Sequence, residues 1–239
     1  MLGMAKASYY DVVIVGAGPA GIFAALELSR IPGLRVVVLD KGRDIDQRHC
    51  PLREGSSECL HCRPCAILDG WGGAGAFSDG KLTLSPAVGG HLADMIGGAA
   101  AARLLQEVDA VYRAYGAPDT VYGTYNDEIE SLAKRASLAG LRFVSVPIRH
   151  MGTERCVDIM RGMRDTLLER GATLRMLTPV AEVLTEGGHV CGVRTASGEV
   201  FRARAVIVAP GREGASWLEA TAKTLGLSLT RNPVDLGVR

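Results

Sequence analysis

The chain has 239 residues, 47% of them apolar, enough to bury a core without disulfide or metal staples. Its 27 basic and 26 acidic residues leave a formal charge of +1, which argues against a nucleic-acid partner. The N-terminus lacks the apolar core of a signal peptide, and the longer apolar stretches are broken by Asp94 and Gly97-Gly98, so a soluble cytoplasmic protein without a membrane partner is expected.

Residues 12–15 form a β-branched run of the kind found in buried parallel strands. Ile22, Leu26 and Leu28 follow as the apolar stripe of a helix, which Ile31-Pro32-Gly33 ends. Residues 35–39 read as a second buried strand, closed by Asp40. A polar, cysteine-bearing irregular stretch fills 41–63, and a glycine-rich loop occupies 70–80. Residues 91–115 are helical in pattern, and a further helix runs from Asn126, a good N-cap, to Gly140, a good C-terminal stop. Residues 141–146 read as a strand, and Thr153 is placed to cap a helix that closes at Gly171. Strands are expected at 173–177, 180–184, 190–195 and 200–209, the last three joined by tight turns into a β-meander. The sum is an α/β fold with a parallel sheet, a β-meander and an inserted helical segment. Residues 1–88 and 150–239 form the nucleotide-binding domain, and 89–149 the insertion on the substrate side.

The string Gly16-Ala17-Gly18-Pro19-Ala20-Gly21 has G-x-G-x-x-G spacing. It follows a buried strand, opens a helix, sits in a βαβ unit and is followed by an acid at the end of the second strand, the context a dinucleotide fingerprint requires. Gly16 permits the tight turn, Gly18 the approach of backbone to pyrophosphate, and Gly21 the close packing of helix on strand. Pro19 suits a first helical turn, where its missing N–H is not needed. Asp40 is placed to accept from ribose hydroxyls, and its charge disfavours a 2′-phosphate; Lys41 adjoins it. No second βαβ fingerprint follows, so one nucleotide must account for the site, which favours FAD over NAD.

Residues 71–81, Trp-Gly-Gly-Ala-Gly-Ala-Phe-Ser-Asp-Gly-Lys, carry a more specific likeness, together with DVVIVGAGPAGIFAALEL, YGAPDTVYGT, IRHMGTER, APGREGASW and the closing PVDLGVR. The chain resembles a family of bacterial and archaeal FAD-dependent dehydrogenases of largely unassigned substrate, within the glutathione-reductase-like flavoproteins. The resemblance implies a Rossmann-like FAD-binding domain in which Gly16, Gly18, Gly21 and Asp40 hold ADP. It implies that Gly72, Gly73, Ala74 and Gly75 pass near the flavin or its phosphates. It also implies that Val180 offers backbone contacts to adenine, and that Ala209, Pro210 and Gly211 flank the cofactor. Such relatives are roughly twice as long, and the present sequence stops inside their pattern. The resemblance therefore implies weak FAD binding and little turnover without a C-terminal half or partner subunit.

Cys59, Cys62 and Cys65 have C-x2-C-x2-C spacing, with Cys50 upstream. Four thiolates suit a 4Fe–4S cluster or a tetrahedral zinc, with His61 as a substitute ligand; a redox thiol pair and plain reduced thiols are the other readings. Asp79 and Lys81 are the catalytic candidates, as contacts to substrate or flavin, against a solvated loop. Arg149-His150 is a further candidate for a phosphate or carboxylate. Three functions follow: a flavoenzyme passing hydride or electrons between a small-molecule substrate or electron donor and FAD, an electron-transfer subunit that works with a partner chain, or a dinucleotide-using enzyme like thiazole synthases.

Overall fold

The computed structural model describes residues 8–86 and 88–230; the PVDLGVR string lies outside them. In chain order the elements are β1 (Ser8–Val15), α1 (Pro19–Leu28), β2 (Val36–Leu39), β3 (Lys81–Thr83), α2 (Leu92–Ile96), α3 (Gly98–Ala114), α4 (Asp127–Leu138), β4 (Ile148–His150), α5 (Thr153–Glu169), β5 (Thr173–Arg175), β6 (Val180–Glu186), β7 (His189–Thr195), β8 (Val200–Val208) and α6 (Ala215–Thr224). The chain divides into two units, Met1–Gly73 with Leu167–Arg239, and Ala74–Thr166.

The first unit is built on a six-stranded sheet of order β5-β2-β1-β8-β7-β6. β1 lies between β2 and β8, parallel to both, with Val13 opposite Val37 on one side and Val206 on the other. A central parallel strand is covered on both faces, which is why Val13, Ile14 and the whole of β2 are apolar and solvent-free. β6, β7 and β8 form the antiparallel meander, turned between β6 and β7 at Gly187 and Gly188, both with positive φ as a tight hairpin requires. Phe201 of β8 is fully buried in a cluster with Val13, Val37, Leu39, Val183 and Val193, and Trp217 packs against it.

In the second unit β3 pairs antiparallel with β4, Lys81 opposite His150. The helical pattern at 91–115 is two helices, because Gly97, at φ +84°, breaks the run. Asn126 caps α4 as its sequence position implies, its side-chain oxygen accepting from Ile129 N–H at 2.9 Å. The strand expected at 141–146 is not formed. Its apolar residues Leu141, Phe143 and Val144 are exposed and, among the described residues, no strand pairs with them; β-propensity without a ladder partner does not make a strand. Thr153 is the first residue of α5, not its cap, and its hydroxyl donates to the Ser78 carbonyl. Among the described residues no helix is long and apolar enough to cross a membrane.

Replacing Phe201 by Ala removes the largest side chain of the sheet cluster and is expected to cost about 3–5 kcal/mol. Leu138→Ala, at a side chain 89% exposed, is expected to change stability by less than about 0.5 kcal/mol. Urea unfolding of the two variants checks the difference.

Candidate nucleotide site

The site grows from the end of β1. Gly16 N–H donates to the Leu39 carbonyl at 2.8 Å and Ala209 N–H to the Val15 carbonyl at 2.8 Å, so the chain leaves the sheet flanked by β2 and by the exit of β8. Gly16 has φ +107°, and a Cβ there would lie 2.1 Å from the Ala209 carbonyl oxygen. A Cβ on Gly21 would lie 1.9 Å from the Gly16 oxygen. Both glycines are demanded by the protein's own backbone. Gly18 is different. Its φ of −77° suits any residue, and among the described residues, its chain neighbours apart, the only atom within 4 Å of an added Cβ is the Gly73 Cα, at 4.0 Å. The missing side chain leaves open space at the N-terminus of α1.

That terminus has no side-chain cap: the N-cap position is Gly18, and Pro19 takes the first helical position. The first-turn N–H groups of a helix have no intrahelical acceptor, and the helix dipole adds partial positive charge. Pro19 and Ala20 are exposed and Gly18 is half-buried, so these donors border solvent. The arrangement fits a pyrophosphate, which needs N–H donors and close backbone approach.

Asp40 closes the other side. One carboxylate oxygen accepts from Ala17 N–H at 2.7 Å, and the second from Gly42 N–H at 2.7 Å and Gly70 N–H at 2.9 Å. A carboxylate offers about four acceptor positions, so these three bonds leave one for a ribose hydroxyl. The Asp40 backbone accepts from Thr178 N–H at 2.8 Å, and Leu177 N–H donates to the Gly42 carbonyl at 2.8 Å. Val180 therefore begins β6 two residues beyond a direct bond to Asp40. Lys41 turns to Asp69, 3.2 Å away, and Glu213, 3.9 Å away.

The glycine loop reaches the same place. Gly72 N–H donates to the Ala17 carbonyl at 2.8 Å, and the fully buried Trp71 donates its N–H to the Arg43 carbonyl at 3.0 Å. Ala209 and Pro210 press on Gly16, and Gly211 follows at φ +65°. The first unit thus gathers Gly16, Gly18, Gly21, Asp40, Lys41, Gly72, Gly73, Ala209 and Pro210 by direct contacts or adjacency. Ala74 and Gly75 open the second unit in a short 3-10 turn, Gly73–Phe77.

In the second unit Asp79 and Lys81 form an exposed ion pair at 2.7 Å, and Lys81 holds the Asp79 carboxyl below the usual carboxylate range. Their turn is anchored by Met151 N–H on the Gly80 carbonyl at 2.8 Å. Arg149 is not available to an anionic ligand. It is 3% exposed, grips Asp109 with two bonds of 2.6 and 2.7 Å, and gives its remaining terminal nitrogen to the Pro118 carbonyl.

The tetrathiolate expected of Cys50, Cys59, Cys62 and Cys65 is not formed. All four are free thiols, and among the described residues no three His, Cys, Asp or Glu side chains are placed to hold a metal. The backbone accounts for this. The Cys50 carbonyl starts one turn by accepting from Arg53 and Glu54. Cys65 is held in another, its N–H on Asp69 at 2.9 Å and its carbonyl accepting from Leu68 and Asp69. Cys59 and Cys62 stand exposed between them. Cys156 is buried, and burial pushes its thiol up.

Arg48 and Asp69 were not singled out in the sequence, and Trp71 only as the first residue of the 71–81 string, although each is almost wholly buried beside the loop. A lone arginine and a lone aspartate in polar stretches carry no spacing signal; the only hint was a tryptophan flanked by glycines.

Residues 10–64 match the family described as pyridine nucleotide-disulphide oxidoreductase. A 71-residue stretch is 46% identical to an uncharacterized protein of Clostridium beijerinckii, covering 30% of this chain and 13% of that one. A 66-residue stretch is 44% identical to a D-amino acid dehydrogenase of Methylobacterium, covering 28% and 15%. Among solved structures, the 3-ketosteroid-delta4-(5alpha)-dehydrogenase of Rhodococcus jostii superposes with a TM-score of 0.58 at 17% identity, over 92% of this chain and 50% of that one, and is a likeness of fold. The chain thus spans a small part of these sequence relatives and half of the structural one.

The glycines separate by experiment. Gly16→Ala is expected to cost about 2–4 kcal/mol from backbone strain and collision, while Gly18→Ala costs less than about 1 kcal/mol. Asp40→Asn leaves at least one of three N–H groups without an acceptor and is expected to cost about 1–3 kcal/mol. Denaturant midpoints of the three variants provide the check.

Proposed function

We propose that this chain is a dehydrogenase-like flavoenzyme of the FAD-dependent oxidoreductases, passing a hydride or electron pair between an organic substrate and FAD, its first unit holding the ADP half of the cofactor. The observation that carries this reading is the uncapped N-terminus of α1 beneath the open space at Gly18, beside the Asp40 carboxylate.

FAD supplies the two-electron chemistry when bound. The chain's own residues bind and orient it. Ala20 and Gly21 present first-turn N–H groups to the pyrophosphate, and the α1 dipole adds positive potential there. Gly18 keeps any Cβ out of the phosphate path. Asp40 accepts one ribose hydroxyl at its remaining position, and its charge repels a 2′-phosphate at the same place. Val180 offers backbone to adenine, and Ala209 and Pro210 keep the Gly16 turn closed. The Asp79–Lys81 pair is proposed as a substrate contact.

Calorimetry tests the reading. FAD and ADP are expected to compete for one site, and ADP carrying a 2′-phosphate to bind at least about tenfold more weakly, a difference of about 1.4 kcal/mol. Gly18→Val is expected to abolish binding of both without unfolding the chain. Absence of FAD and ADP binding, or a preference for the 2′-phosphate, sinks the proposal.

A further inference from the structure

Arg48 is 4% exposed and lies outside the fingerprint's sequence motif, yet it holds the loop that lies against it. Its guanidinium donates to four carbonyls: Nε to Ala66 at 2.9 Å, Nη1 to Trp71 at 2.6 Å, and Nη2 to Ile67 and Gly73 at 2.9 Å each. A trans peptide points its C=O and its N–H in opposite directions. Turning the Trp71 carbonyl towards Arg48 therefore turns the Gly72 N–H away, and it meets the Ala17 carbonyl at 2.8 Å. The same loop gives Gly70 N–H to Asp40 and brings the Gly73 Cα to 4.0 Å from a Cβ built on Gly18. One side chain thus sets the main-chain path of the wall facing the open space at Gly18.

The charge is held in balance. Burial lowers the guanidinium to about 10, opposed by the charges of Asp40 and Asp69, so Arg48 remains a cation at neutral pH. Asp69, 7% exposed, is itself held by Cys65 N–H and Lys41.

We propose that Arg48 is the positioning residue of the ADP site: it preorganises residues 66–73 as the wall that receives the pyrophosphate, so that affinity depends on it without any contact to the ligand. The proposal rests on the reading of the first unit as an ADP site. A purely structural arginine would lower stability and leave discrimination between ligands unchanged. One that positions the wall affects ligands carrying a pyrophosphate and spares those without it, because an ordered loop saves the entropy of ordering it on binding.

The test uses the full chain with Arg48→Lys and Arg48→Gln, titrated with ADP and with adenosine, alongside amide hydrogen exchange of the ligand-free wild type. Both variants are expected to bind ADP at least about tenfold more weakly while adenosine changes less than about threefold. Gly72 and Gly73 amides in the ligand-free wild type are expected to exchange slowly. Unchanged ADP affinity in a folded variant, equal losses for ADP and adenosine, or unprotected Gly72 and Gly73 amides in the wild type each overturn the proposal. If neither variant folds, the wild-type exchange decides. Wild-type protein that binds no ADP sinks the cofactor reading instead, while the exchange rates still report on Arg48.

Discussion

Asp40 gathers three stretches of chain onto one carboxylate: Ala17, 23 residues before it, Gly42 just after it, and Gly70, 30 residues beyond. Such convergence is possible only because the backbones come unusually close. A Cβ on Gly42 would lie 2.2 Å from the Gly70 nitrogen, and one on Gly70 would lie 2.2 Å from the Arg43 oxygen. Either side chain would drive the loop away from the strand exit and leave N–H groups without their acceptor. The turn after β1, the exit of β2 and the glycine loop are therefore one cooperative unit, and the proposed ADP site is its outer surface.

Behind that surface lie the buried charges of Arg48 and Asp69, with the half-buried Asp40 near them and Lys41 adding a second cation at the rim. Burying charge is costly unless each group is paired and hydrogen-bonded. Here Arg48 spends its donors on carbonyls and Asp40 its oxygens on N–H groups, so each charge is satisfied mainly by backbone. Charged side chains that bind backbone fix the path of the main chain more tightly than they would by pairing with one another. This suits a site whose ligand is recognised largely by main-chain N–H groups.

What could be read from the sequence follows from the range of each interaction. β1, α1 and β2 were legible because parallel strands need continuous apolar runs and the turn between them needs glycines at fixed spacing. The meander was legible from its tight turns, Gly187-Gly188 above all. Residues 141–146 were misread because Leu141, Phe143 and Val144 have strand-forming composition, and nothing local says that no partner strand is present. The cysteine spacing was legible, but spacing alone does not gather four thiols: the turns at Cys50 and Cys65 decide where they go. Asp40 was legible as an acid closing the second strand, while its bond from Gly70, 30 residues on, is a contact no local pattern records. Arg48 was invisible because its four acceptors are carbonyls, and carbonyls are the same in every residue.

The central claim is that the backbone N–H groups at the start of α1, with the loop before Ala74, receive a pyrophosphate. An amide-resolved NMR titration of the chain with ADP tests it most directly. The account predicts that the largest shifts fall on Gly18, Ala20 and Gly21, with smaller ones on Gly72 and Gly73. Saturating ADP that leaves these amides unmoved, or moves chiefly residues of the second unit, would contradict it.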